Sequence, residues 1–473
     1  MTMTTGMMRF SVPVGYQPAP LAVTRVLANL ARQRKEAGHN DISFGGGLPN
    51  PAACDVEGYE AKAKAYLARL ADHEVIPGCR TINAVQRALA NYTDTVSHTG
   101  IRQDFARPYA RDTQIPINVE RLIPTLGNTQ AIMATLMFFN SLGKKVAVFV
   151  EQQAYTGLLS AAEWFQNIKV ISLPMTEDGM SPFALKKALK FVDDDPELQQ
   201  GFVYLVPDGG NPSGITMSQQ RRDDLYNTVL MHAQETGNIA YIFEDSPYYF
   251  IRLGKEGQEY PLPMAANDPA GIVAHAFSAS KISFPDNRVG WLHLPMEWDQ
   301  KDATGKNRML YGEVAAAVAA GTLIHSSRNL AGFNGQMWNA DEMVGLMPAS
   351  ATQSAIYRQN AGLLYEAIET GLVHAYPDLF ALSPRPQHGF VFSITMPDLE
   401  AKTGIKDDVV LAQRLLDDHG VIVTPMSGFA PPDLPAGALS ETIRLAFSAE
   451  TPERIEEGAE RLVTGLKAVY GLG

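Results

Sequence analysis

The chain has 473 residues, 45% of them hydrophobic and 19% charged, which is enough apolar material for a large core and enough length for more than one domain. Its net charge of −12 argues against a nucleic-acid partner, which needs a basic face, although a few local Arg and Lys residues can still hold an anionic ligand. The two cysteines, Cys54 and Cys79, exclude a disulfide framework and favour a reducing compartment, and no His/Cys pair stands at zinc-ligand spacing, so no metal site is expected.

The first twenty residues, MTMTTGMMRFSVPVGYQPAP, lack the basic and apolar regions of a signal peptide and the Arg-rich pattern of a transit peptide. No apolar run approaches the roughly 20 residues that span a bilayer. A cytoplasmic protein with no membrane association is expected. Residues 1–60 are loop-rich and are expected to form an N-terminal arm that packs across the domains or onto a partner subunit.

From about residue 120, short β-rich runs alternate with longer helical stretches. The β-like runs are 145–150, 169–173, 202–208, 239–245, 272–280 and 289–295. They carry few charges and end in turn or polar residues, as strands buried on both faces do. Helices are predicted over 129–142, 156–167, 182–193 and 218–236. This alternation predicts an α/β domain, over 61–330, with a mostly parallel sheet. After about residue 305 the texture changes to helical stretches at 309–322 and 350–371. Strand-like runs follow at 389–396, 421–426 and 442–448, with a helix over 407–420 stopped by Gly420. A smaller α+β domain over 331–473 is expected.

In open α/β sheets, ligands sit outside the carboxyl ends of the strands, so chemistry is sought in four segments there. In PTLGNTQAIMATL (124–136), a Gly-Asn-Thr turn opens a helix whose free N–H groups can bind an anion or simply be capped. In VPDGGNPSGITMSQQRRDDL (206–225), Asn211-Pro212-Ser213-Gly214 is a strong turn and Ser218 a helix cap. In EDSPYYF (244–250), Asp245 closes an apolar strand with Tyr248 three residues on. A buried carboxylate there needs a cationic partner, unless Asp245 is a plain N-cap ahead of Pro247. In HAFSASKISFPDNRVGW (275–291), a strand ends in Ser278-Ala279-Ser280-Lys281, and Arg288 follows. A desolvated lysine can attack an aldehyde, and two hydroxyls with a guanidinium suit a phosphate. A surface loop is the plain alternative.

Together and in this order, the four segments resemble the fold-type I pyridoxal-phosphate (PLP) enzymes, specifically the class I/II aminotransferases. The chain is most similar to the branch holding 2-aminoadipate, kynurenine and aromatic amino-acid aminotransferases. ISFGGGLPNP (42–51) and EDSPYYF add to the likeness, which runs from about residue 41 to the C-terminus. The resemblance implies a large domain with a seven-stranded, mostly parallel sheet flanked by helices, and a small α+β domain. It implies that Lys281 holds pyridoxal 5′-phosphate as a Schiff base and later carries the proton between Cα and C4′. Asp245 would pair with the ring nitrogen. Tyr248 and Asn211 would bond the ring's 3′ oxygen, and Tyr155 would stack on the ring. Asn128, Thr129, Ser278, Ser280 and Arg288 would cradle the phosphate. Arg444, in ETIRLAFS, would grip the substrate carboxylate, with the backbone of Gly47 close by.

The implied reaction is ping-pong transfer of an amino group from an L-amino acid, aromatic or large and apolar, to a 2-oxo acid such as 2-oxoglutarate. A homodimer is implied as well. The chain departs from the family pattern at four places. Gly127-Asn128-Thr129 replaces Gly-Ser-Gln, and His73 replaces a tyrosine that reaches the partner subunit's phosphate. Pro285-Asp286-Asn287 replaces a Pro-Gly stretch, and PMSGF (425–429) replaces a PGSAF-like segment. Two other functions compete. A PLP decarboxylase or C–S lyase is disfavoured because Arg444 would hold the carboxylate in the ring plane. A ligand-sensing regulator would need a winged-helix region, and only about 40 residues precede the likeness.

Overall fold

The structure is a computed structural model that describes residues 23–50, 52, 57–91, 96–255, 257–295, 327–339, 342–343 and 346–472. The predicted helix over 309–322 lies outside the described residues. Seven strands form the main sheet: β1 (Leu122–Thr125), β2 (Lys145–Glu151), β3 (Ile168–Leu173), β4 (Leu198–Leu205), β5 (Tyr241–Asp245), β6 (Val273–Ser278) and β7 (Gly290–His293). Their spatial order is β1-β7-β6-β5-β4-β2-β3. The four contacts from β6 through β5, β4 and β2 to β3 are parallel. Strand β7 runs antiparallel to both β1 and β6, a reversal that its sequence does not signal.

The period-two alternation of these strands decides which core each residue joins. On β2, Ala147 and Phe149 pack into one core, and Val146, Val148 and Val150 into the other. On β4, Val203 and Leu205 face the first core, while Phe202 and Tyr204 face the second. Both faces are therefore covered, as a parallel sheet requires. Helices α1 (Asn128–Asn140) and α2 (Thr156–Ala162) cover the second face, and α3 (Pro182–Asp194) and α4 (Gln219–Thr236) lie on the first. Ser181 and Ser218 cap the latter pair through the amides of Ala184 and Arg221.

A four-stranded antiparallel sheet follows, from β8 (Ala381–Leu382), β9 (Val391–Thr395), β10 (Thr424–Pro425) and β11 (Thr442–Ala446), in the order β8-β9-β11-β10. Helices α5 (Leu346–Ile368), α6 (Asp408–His419) and α7 (Pro452–Val469) accompany it. The run 421–426, expected as one strand, is broken. Val421–Ile422 pairs in parallel with Ile42–Ser43 of the arm, and only Thr424–Pro425 joins the sheet. Proline's missing N–H ends the ladder there, and Met426–Phe429 closes into a 3-10 turn. Among the described residues no helix is long and apolar enough to cross a membrane.

Candidate active site

Alternation along neighbouring strands sends Tyr204 of β4, Asp245 of β5 and Ser278 of β6 to one face, at the carboxyl ends of the sheet. Helix α1 begins over the same spot. Gly127 makes the turn into it at φ +109°, and a Cβ there would stand 3.0 Å from Arg288 Nη2 and 3.5 Å from Ser278 Oγ. The glycine therefore leaves a concavity in front of a guanidinium, a hydroxyl and the free N–H groups of a helix start. The resulting cavity has a volume of about 170 Å³. Ten residues singled out from the sequence line it: Asn128, Thr129, Tyr155, Asn211, Asp245, Tyr248, Ser278, Ser280, Lys281 and Arg288.

Asp245 is buried, and both its oxygens are bonded. Asn128 Nδ2 donates to Oδ1 and the Tyr204 hydroxyl donates to Oδ2 at 2.6 Å. Burial pushes its carboxyl up to about 6, against the pull of those two hydrogen bonds and of the more distant His275 and Lys281. Asn128, expected to face a phosphate, instead spends its amide on Asp245 and on the Ala276 carbonyl at 3.3 Å.

Beyond β6, Ser278 Oγ accepts from the Ser280 amide at 3.3 Å and caps the single 3-10 turn Ala279–Lys281. That turn carries Lys281 inward, where Nζ donates to the Gly47 carbonyl at 3.1 Å. The amine lies 5.5 and 5.4 Å from the ring centres of Tyr248 and Phe390. Burial, and then the charges of Arg444 and Arg288, bring Lys281 down to about 8. Burial likewise pushes the Tyr248 phenol up. Arg288 Nη1 donates to Ser280 Oγ at 3.4 Å, and Tyr155 places its hydroxyl 3.5 Å from Thr129 Oγ1.

Asn211 sits on a turn that presses on the small sheet. A Cβ on Gly214 would lie 2.4 Å from the Val391 carbonyl, and one on Gly209 2.4 Å from that of His388. Under the turn, the fully buried Arg222 and Asp208 pair at 2.7 Å. Arg444 and Gly47 do not line the cavity but border it. Arg444 is buried in β11 and donates to Asn211 Oδ1 at 2.6 Å, to the Gly45 carbonyl at 2.6 Å and to Thr424 Oγ1 at 3.2 Å. Its Nε meets no acceptor, and no carboxylate lies within ion-pairing distance of it, among the described residues. Burial lowers its pKa to about 10. His73 is exposed at the end of helix Tyr59–Asp72.

Tyr204 is the member of the site that the sequence reading missed. It sits inside the apolar run FVYLVPD, where an aromatic residue reads as core. The signal that could have found it is its even position, which shares a face with Phe202 and with the strand's polar end.

A sequence profile described as Aminotransferase class I and II matches residues 68–462. The chain is 27% identical to aromatic-amino-acid aminotransferase 1 of Thermococcus litoralis, over 90% of this chain and 88% of that protein. It is 36% identical to aminotransferase swnA of Metarhizium robertsii over a shorter stretch, 36% of this chain, and so spans about a third of that relative's length (32%). A solved structure of the Pyrococcus horikoshii kynurenine aminotransferase, in complex with PMP and kynurenine, superposes with a TM-score of 0.71 at 22% identity. That match covers 97% of both chains and shows a shared fold.

Proposed function

The chain belongs to the class I and II aminotransferases, and from that premise we propose that it moves the amino group of an L-amino acid, aromatic or large and apolar, to a 2-oxo acid such as 2-oxoglutarate in a ping-pong cycle. The observation that carries the reading is Arg444. A buried guanidinium with no carboxylate partner among the described residues is costly to maintain, and a substrate carboxylate is the natural bidentate match. The relatives named for aromatic amino acids and kynurenine support the donor class. So do the rings of Tyr248, Phe390 and Phe429, which surround Lys281 and Arg444.

The residues present fit pyridoxal 5′-phosphate, the cofactor of this family. The concavity over Gly127 suits a phosphate, with Arg288, Ser278, Ser280, Thr129 and the amides of Asn128 and Thr129 as donors. Asp245 suits the protonated ring nitrogen, and Tyr155 the ring face. Bound there, the cofactor supplies an aldehyde that takes up the amino group and a ring that draws the electrons of the Cα–H bond. The chain's own groups do the rest. Arg444 and the Gly47 backbone orient the substrate carboxylate. Lys281 Nζ takes the proton from Cα and delivers it to C4′, a task suited to an amine whose pKa is near the working pH. Asp245 would keep the ring nitrogen protonated. Tyr248 and Asn211 would hold the 3′ oxygen. A carboxylate clamped by Arg444 is protected from cleavage, which favours amino transfer over decarboxylation. We place the enzyme in the cytoplasm, on its cysteine usage, and as a homodimer, on its resemblance.

The test is the visible spectrum of the protein with pyridoxal phosphate, titrated with a panel of amino acids. A band is expected that is absent in Lys281→Ala and that aromatic donors convert fastest, with the matching 2-oxo acid as product. A band unaffected by Lys281→Ala, or carbon dioxide in place of the 2-oxo acid, overturns the reading.

A further inference from the structure

We propose that Tyr204 and Asn128 are positioning residues that grip the two oxygens of Asp245 and so set how strongly that carboxylate holds the ring nitrogen of the cofactor. The inference rests on the reading of Asp245 given above.

The geometry is specific. Each oxygen of Asp245 receives one donor, Asn128 Nδ2 on Oδ1 and the Tyr204 hydroxyl on Oδ2 at 2.6 Å. Tyr204 and Asp245 are both 3% exposed, so the bond between them is made in a buried setting. Two donors from different elements, β4 and α1, fix the plane of the carboxylate as well as its place. Each oxygen keeps a free lone-pair direction, so the pair can orient Asp245 towards a ring N–H without occupying it. Both groups donate, and donors favour the carboxylate over the neutral acid. That matters for a buried group that could otherwise take a proton and lose its hold on a cation. The other charged neighbours act only at a distance. His275 is engaged by Glu244 at 2.8 Å and Tyr109 at 2.6 Å, and Lys281 by the Gly47 carbonyl.

Asn128 departs from the family pattern at this point. It stands where the family's phosphate turn commonly has serine, whose hydroxyl is one bond shorter. Here the position supplies a donor to Asp245, and the phosphate is left to Thr129, Ser278, Ser280, Arg288 and backbone N–H groups.

The experiment measures dissociation constants of the apo protein for pyridoxal 5′-phosphate and for its 1-deaza analogue, in which carbon replaces the ring nitrogen. The wild type is expected to prefer the natural cofactor. In Tyr204→Phe that preference should fall about tenfold, the scale of a hydrogen bond to a charged group, while the deaza analogue binds within about twofold of wild type. Asn128→Ser should reduce the preference in the same direction. Any effect of that change on phosphate binding cancels in the ratio, so it also carries the test if Tyr204→Phe does not fold. Equal loss for both ligands would make the two residues mere packing and overturn the proposal, as would an unchanged preference. A wild type that binds both ligands alike would instead sink the assignment of Asp245, and this inference with it.

Discussion

Lys281 holds its proton loosely for a lysine. Burial, with Arg444 and Arg288 nearby, brings it to about 8 from an ordinary 10.5. Reductive labelling of the apo protein by a small aldehyde, followed at Lys281 by peptide mass spectrometry, should therefore rise through a midpoint near pH 8. In Arg444→Ala the loss of a positive neighbour should move that midpoint upward, and a midpoint near 10.5 in the wild type would refute the argument. Asp245 is displaced the other way, from 3.8 to about 6. A raised carboxylate pKa means the folded apo protein keeps a proton that the unfolded chain has lost. The resulting cost is absent below about pH 4 and complete above about pH 6. Two pH units correspond to about 3 kcal/mol. Asp245→Asn should thus stabilise the apo protein by up to about 3 kcal/mol at pH 8 and by less at pH 5, by urea unfolding, while abolishing amino transfer. Lys281 and Asp245 could be singled out in the sequence because each is a polar exception at the end of an apolar run, whereas Arg444 was named only through the family resemblance. The bonds from Tyr204 and Asn128 to Asp245 were not legible, because a pairing between β4, α1 and β5 leaves no trace in local spacing.

At the scale of elements, the Asn211 turn depends on α4 behind it. Arg222 of α4 pairs with Asp208 at 2.7 Å and also donates to the carbonyls of Pro207 and Met217, both at 3.1 Å. Burial alone would push the Asp208 carboxyl up. The charge and hydrogen bond of Arg222, together with His388 and the Ser246 hydroxyl, outweigh it, and the net pKa lies below the ordinary value. This stabilisation is present above the ordinary carboxylate range and disappears on acidification. Arg222→Met leaves a buried carboxylate with no cationic partner in hydrogen-bond reach and only the Ser246 hydroxyl as donor, and should cost about 3–5 kcal/mol in urea unfolding at pH 7. Adding Asp208→Leu should recover only part of that, since the carbonyls of Pro207, Met217 and Leu262 stay without their donor. Full recovery would mean that the ion pair alone matters. Strands and helices of the main sheet were readable because buried strands are continuous apolar runs and Ser181 and Ser218 mark helix starts. The antiparallel β7 was not readable, because a buried strand of either direction carries the same residues.

For the molecule as a whole, the arm ties the small sheet to the active site. The Phe44 amide donates to the Ile422 carbonyl, and the Phe44 carbonyl accepts from Ala446, both at 2.8 Å. The next carbonyl, of Gly45, accepts from Thr424 at 2.7 Å and from Arg444 at 2.6 Å, and that of Gly47 accepts from Lys281. This bridge crosses 379 residues of sequence, which is why 42–51 could be recognised by likeness but not paired by periodicity. We propose on this basis that the N-terminal arm, through its described residues 23–50, belongs with the domain expected over 331–473 rather than with the main sheet. Phe44 is fully buried, and α7 approaches it so closely that a Cβ on Gly458 would lie 2.6 Å from its ring. Phe44→Ala should cost about 3–5 kcal/mol by leaving a cavity. Its kinetic effect should be the more telling one. The Gly45 carbonyl orients Arg444, so a slackened arm loosens the carboxylate clamp before it disturbs the proton transfer. The amino-acid KM should rise about tenfold with kcat changed less, the pattern of lost substrate binding. If kcat fell instead with KM unmoved, the arm would be acting on Lys281 through Gly47, and Arg444 would hold its geometry without it.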